Sequence, residues 1–128
     1  MQRRHFSPGA LKAPFGRYHH AVELPAPERW LVLSGQLGMD AGGSVAEGVA
    51  EQAELAFAAI DACLAEAGMG RADVVRLTVY LTEAGYRADY MRVRDAWVAD
   101  PPPASTLVVV KALALPACKV EIEAIAAR

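Results

Sequence analysis

The run Leu107-Val108-Val109-Val110 is apolar at odd and even positions alike. Successive side chains of a strand point to opposite faces, so such a run needs cover on both sides of the sheet that holds it. The rest of the chain supplies two helical stretches, enough for one face. The other face must meet something else. For a 128-residue chain that is 54% hydrophobic, the simplest cover is another copy of itself.

The leading segment, Met1 to Phe15, carries Pro8, Gly9 and Pro14 without periodicity and reads as extended, partly flexible chain. Two β-prone stretches follow, Tyr18 to Leu24 and Trp30 to Gly35, and Pro25-Ala26-Pro27 between them predicts a hairpin. Past the Gly42-Gly43 turn, Val49, Ala53, Ala56, Phe57, Ile60 and Leu64 recur at steps of three and four, the apolar stripe of a long helix. Gly68 and Gly70 are expected to end it in the left-handed conformation. Val74 to Leu81 alternates Val75, Leu77, Val79 and Leu81 with Arg76, Thr78 and Tyr80, the pattern of a strand with one buried face. A second helix with the stripe Tyr86, Tyr90, Val93 and Trp97 must stop before Pro101-Pro102-Pro103. Strands Thr106 to Leu113 and Cys118 to Ala126, parted by Leu115-Pro116-Ala117, close the chain. The order β-β-α-β-α-β-β predicts one α+β domain over residues 1–128, with two helices on one face of a mixed sheet.

Charge excludes several functions. Lys and Arg number 13 against 15 Asp and Glu, a formal net charge of −2, which leaves no basic excess for a phosphate backbone, so nucleic acid is not an expected partner. No apolar segment follows Gln2-Arg3-Arg4-His5, so no signal peptide is read. The Ala-rich run Ala50 to Gly68 is broken by Glu51, Glu54, Asp61 and Glu66 and cannot span a membrane. A cytoplasmic protein is expected. Cys63 and Cys118 lack metal-ligand spacing and read as small core residues in a reducing compartment. His19 and His20 would point to opposite faces of a strand and cannot share an ion, so no metal is expected. Neither a P-loop nor a dinucleotide-binding glycine pattern occurs, and no cofactor is implied. Ser34, in Val32-Leu33-Ser34-Gly35, lacks the first glycine of a nucleophile elbow.

The chemistry concentrates near the C-terminus, where Glu121 and Glu123 interrupt a strand on the face opposite Val120 and Ile122. Carboxylates at such positions either line a site or guard a wet face against aggregation. Several segments, spread over nearly the whole chain, together resemble the Rid/YjgF family of small reactive-intermediate deaminases. They are Pro14-Phe15-Gly16-Arg17-Tyr18, Leu33-Ser34-Gly35-Gln36, Ala67-Gly68, Asp73 to Leu81, and Val120-Glu121-Ile122-Glu123-Ala124-Ile125-Ala126.

The resemblance implies a chorismate-mutase-like fold that assembles as a homotrimer with small-molecule pockets between subunits. It places Tyr18, Ser34 and Glu121 in the pocket, with Glu121 positioning the water that attacks an imine carbon. Where active members read P-A-R-S/T, with the Arg gripping the substrate carboxylate, this chain reads Pro103-Ala104-Ser105-Thr106. Ser105 therefore stands at the Arg position, and Met91-Arg92-Val93-Arg94 occupies the region of the family's helix-2 Asn. Each charge-assisted hydrogen bond contributes about 1.5–3 kcal/mol, so a neutral hydroxyl in place of the clamp weakens carboxylate binding by roughly two orders of magnitude. Lys111 lies about 20 Å along the strand from Ser105, too far to substitute. Arg17, which replaces the family's Pro beside Tyr18, is the candidate cation. Two functions follow from the resemblance: hydrolytic deamination of an enamine, imine or related metabolite through Glu121, with Tyr18, Ser34, Ser105 and Arg17 binding it, or a non-catalytic trimeric metabolite-binding protein that lost its clamp. Ribonuclease activity, sometimes attributed to the family, gains nothing from an acidic chain.

Overall fold

The computed structural model describes residues 2–128; Met1, at the head of the leading segment, lies outside the described residues. Seven strands and two α-helices follow in the order β1 (Arg4–Phe6), β2 (Ala21–Glu23), β3 (Trp30–Val32), β4 (Gln36–Leu37), α1 (Val49–Glu66), β5 (Val74–Leu81), α2 (Arg87–Trp97), β6 (Ala104–Val109) and β7 (Val120–Ala127). The main sheet runs β3-β7-β5-β6, with β4 sharing the β3 edge of β7. All pairs are antiparallel except β5 with β6, whose parallel pairing requires the crossover that α2 provides. The sheet is therefore mixed, and both helices cover the same face.

The expected helix stripe on α1 is buried in full, from Val49 to Leu64, and it packs on the alternate residues Leu77, Val79 and Leu81 of β5 and Val120, Ile122, Ala124 and Ala126 of β7. Phe57 ties the helices together, its ring 4.5 Å from that of Trp97 and 6.2 Å from that of Tyr90. Burying each large apolar side chain of this kind contributes about 1.5–3 kcal/mol. Gly68 ends the helix at φ +68°, as expected for a left-handed C-cap, whereas Gly70 at φ −135° is ordinary extended backbone that begins a short 3-10 turn.

Three expectations need correction. The hairpin does not form. β2 pairs with β1, a short strand inside the leading segment read as extended chain, while β3 pairs with β7. Pro25 and Pro27 offer no N–H to a ladder, and Ala26 between them is forced to φ +41°, so the chain turns away and leaves each strand to find a distant partner. The first stretch contributes three strand residues rather than the span Tyr18 to Leu24. The second helix buries Tyr90, Arg94 and Trp97, with Tyr86 shifted into a preceding 3-10 turn, so a guanidinium occupies a place where an apolar stripe was read.

The two-sided apolar run lies on β6, at the sheet edge. Leu107 and Val109 pair beside Val79 and Leu81 on the helical side, and Val108 pairs beside Tyr80 on the other. The uncovered face presents Val108, Trp30 and Val32, the last 73% exposed. This is the apolar surface expected from Leu107 to Val110, extended to the far edge of the sheet.

Two buried polar side chains in this core contrast sharply. Gln52 is fully buried, yet its Nε2 donates to the carbonyls of Ala46 (2.8 Å) and Ala117 (3.0 Å), and its Oε1 accepts from the Lys119 amide at 2.8 Å. It joins the start of α1 to the start of β7. Tyr90 is equally buried, but its hydroxyl has no partner among the described residues, and burial pushes its pKa upward. Removing a satisfied hub leaves its partners orphaned, whereas removing an orphan relieves a cost. Gln52→Leu is thus expected to lower unfolding free energy by about 1–3 kcal/mol, and Tyr90→Phe to leave it unchanged or raise it by up to about 1 kcal/mol, both read from urea melts.

Candidate functional site

Alternation along β7 sends Glu121 and Glu123 to the uncovered face, beside Tyr80 and Thr78 of β5. Their situations differ. Glu123 accepts a 2.6 Å hydrogen bond from the Tyr80 hydroxyl, a bond that also holds the phenol protonated and raises its pKa. The Glu121 carboxylate makes no hydrogen bond among the described residues. It lies instead over Gly35, where a Cβ would stand 2.6 Å from Glu121 Cδ and 2.8 Å from Cγ. The glycine of Ser34-Gly35-Gln36 is there for space, and the pairing of Leu37 with Glu121 fixes the approach. Ser34 directly precedes this glycine in the chain.

The other expected residues gather elsewhere. Ser105 pairs beside Leu77 and so faces the helical side of the sheet. There it lines a cavity of about 340 Å³ with Phe15, Tyr18, Arg87, Met91, Arg94 and Leu107. Tyr18 is brought to this edge because the chain beside it runs along β6: the His19 amide donates to the Pro103 carbonyl at 3.0 Å, and His19 pairs beside Ala104. Phe15 meets Tyr18 edge-on at 5.9 Å. Arg17 is exposed, donates to the Ala99 carbonyl at 3.4 Å, and does not line the cavity.

The structure thus brings Tyr18 together with Ser105 on one face of the sheet and sets Glu121 over Gly35 on the other. Within one chain the two clusters do not meet. One cluster holds a carboxylate without a hydrogen bond among the described residues, the other a walled cavity.

Sequence reasoning missed Arg94. Its side chain is 3% exposed, its Nε and Nη2 donate to Asp95 Oδ1 at 3.1 and 3.0 Å, and its Nη1 donates to Ser105 Oγ at 3.3 Å. A signal existed: Tyr90, Arg94 and Trp97 fall at i, i+4 and i+7 on one helix face, and a guanidinium in that stripe needs partners. Among the described residues no group of His, Cys, Asp and Glu is arranged to hold a metal ion. None of the described helices is long and apolar enough to cross a membrane.

Comparison with known proteins agrees with this fold. The family described as Endoribonuclease L-PSP matches residues 10–128. A RutC family protein of Aquifex aeolicus is 36% identical over 118 residues, covering 90% of this chain and 91% of that protein. A 2-iminobutanoate/2-iminopropanoate deaminase of Bos taurus is 36% identical over 99 residues, covering 76% of this chain and 68% of that one. Among solved structures, the Rid-family protein YyfB of Yersinia pestis superposes with a TM-score of 0.90 at 32% identity, with both chains covered in full. Sequence motifs, sheet order and these relatives agree: the chain belongs to the endoribonuclease L-PSP family, the family of the Rid and YjgF proteins.

Proposed function

We propose that this chain is a Rid-type hydrolytic deaminase of a small imine or enamine, working as a homotrimer whose sites lie between subunits. One observation carries the proposal: Glu121 and the cavity occupy opposite faces of the sheet, and the uncovered face exposes apolar side chains at its edges, Val108 on one side and Trp30 and Val32 on the other. A neighbouring copy that covers Trp30, Val32 and Val108 would bring its own cavity edge toward Glu121. The deaminase relative supports the reaction class.

Glu121 is the group for the reaction because its carboxylate is uncommitted, whereas Glu123 is held by Tyr80. It accepts a proton from water as the water oxygen bonds to the imine carbon, and the imine nitrogen takes up a proton. The resulting carbinolamine loses ammonia as its C–N bond breaks, leaving the carbonyl product. Tyr18, Ser34 and Ser105 contact the substrate, and Phe15, Met91 and Leu107 supply apolar walls. Cys63 and Cys118 are both free, in keeping with a cytoplasmic location. A net charge of −2 favours a small metabolite over RNA.

A non-catalytic metabolite-binding trimer is the second reading, and Ser105 at the family's Arg position favours it. Turnover separates the two. With 2-iminopropanoate generated in situ, the wild-type chain is expected to speed imine loss, and Glu121→Gln to lower the rate by about 10²-fold or more with the melting temperature unchanged. Wild type that binds the product without turnover establishes the second reading. Gly35→Ala drives a methyl group into Glu121 and is expected to cost at least about tenfold in rate. Sedimentation equilibrium is expected to give three times the chain mass.

A further inference from the structure

The cavity beside Ser105 is lined by two guanidinium groups, two hydroxyls and three apolar side chains, with no carboxylate on its wall. Arg87 stands at the exposed rim, its guanidinium 5.6 Å from the Phe15 ring. Arg94 is the deeper of the two. Its only acidic partner among the described residues, Asp95, meets one side of the guanidinium through Nε and Nη2 and does not line the cavity. Each terminal guanidinium nitrogen carries two N–H groups. After the bonds to Asp95 and Ser105, Nη1 and Nη2 each retain an N–H with no partner among the described residues. With Nη1 turned toward Ser105 on the cavity wall, the remaining donors of this guanidinium are available to a carboxylate in the cavity.

We propose that Arg94, delivered from α2 and oriented by Asp95, is the residue that grips the substrate carboxylate in this chain. The inference rests on the Rid-type reading of the cavity and adds the group that confers its preference for anions. The contact with Ser105 explains why a small neutral residue belongs on β6. With Ser105 Oγ 3.3 Å from Nη1, a longer cationic side chain at position 105 would press a second guanidinium against the first. One guanidinium serves the cavity, and here the helix supplies it. Asp95 balances the charge of a side chain that would otherwise be costly to bury.

The test is a change of specificity, which a merely structural residue would not produce. Pyruvate, the product of 2-iminopropanoate hydrolysis, and its neutral amide pyruvamide are titrated against the full chain by calorimetry. The wild type is expected to favour pyruvate at least about tenfold, and Arg94→Gln to bring the ratio near one. Arg94→Lys, which keeps the charge and loses the fork, should fall between them. It serves alone if Arg94→Gln fails to fold, and a ratio equal to wild type then overturns the assignment. Ser105→Arg alone should weaken pyruvate binding, and adding it to Arg94→Gln should restore the preference. If Arg94→Gln keeps the preference, or Arg17→Gln removes it instead, Arg94 is not the grip, and the Rid-type reading survives. A wild type without preference also overturns the inference. Binding of pyruvate that depends on Arg94, in a chain inert toward the imine, would sustain the inference while removing the catalytic reading.

Discussion

Strand β7 is paired along both edges, with β5 on one side and β3 and β4 on the other, so its alternation decides what each face of the sheet receives. Val120, Ile122, Ala124 and Ala126 go to the helices and are almost completely buried. Glu121 and Glu123 have no choice but the opposite face. A slip of one residue would bury both carboxylates under α1, so the register of the core and the placement of Glu121 are one constraint. Gln52 reinforces it by holding the amide of Lys119, one residue before β7 begins.

The same constraint keeps Glu121 and Ser105 apart. β6 pairs with β5 in parallel, and its residues inherit the faces of their β5 neighbours: Ser105 lies with Leu77 on the helical side, Val108 with Tyr80 on the other. A chain of 128 residues has one main sheet and two helices, and these leave the face bearing Glu121 open. Burying that face against a second copy would satisfy the apolar edge and complete the pocket in a single step. An assembly and an active site would then share one energetic cause.

Much of the fold was legible because its signals are local and redundant. The α1 stripe repeats over five turns of helix, and the alternation of β5 runs from Val75 to Leu81, so a single discordant residue cannot obscure either. The short strands were not legible in their pairings. β2 and β3 each have three residues, and nothing within three residues says which distant edge will accept them. The expected hairpin failed there, on two prolines and a strained alanine. Arg94 escaped for the opposite reason: its surroundings are supplied by Ser105 and Asp95, one of which lies on another element.

The sequence by itself determined the secondary-structure elements of the core, the family, and the residue types available for chemistry, since periodicity and motif are written along the chain. It also showed that some apolar surface must find cover, because no fold of two helices hides both faces of Leu107 to Val110. Only the tertiary structure decided which of those residues meet. Glu121 and Ser105 are separated by the thickness of the sheet, while Arg94 and Ser105, on different elements, lie in hydrogen-bond contact. Sidedness of that kind depends on which strands pair and in what register, and pairing is a property of the folded chain that no single segment carries.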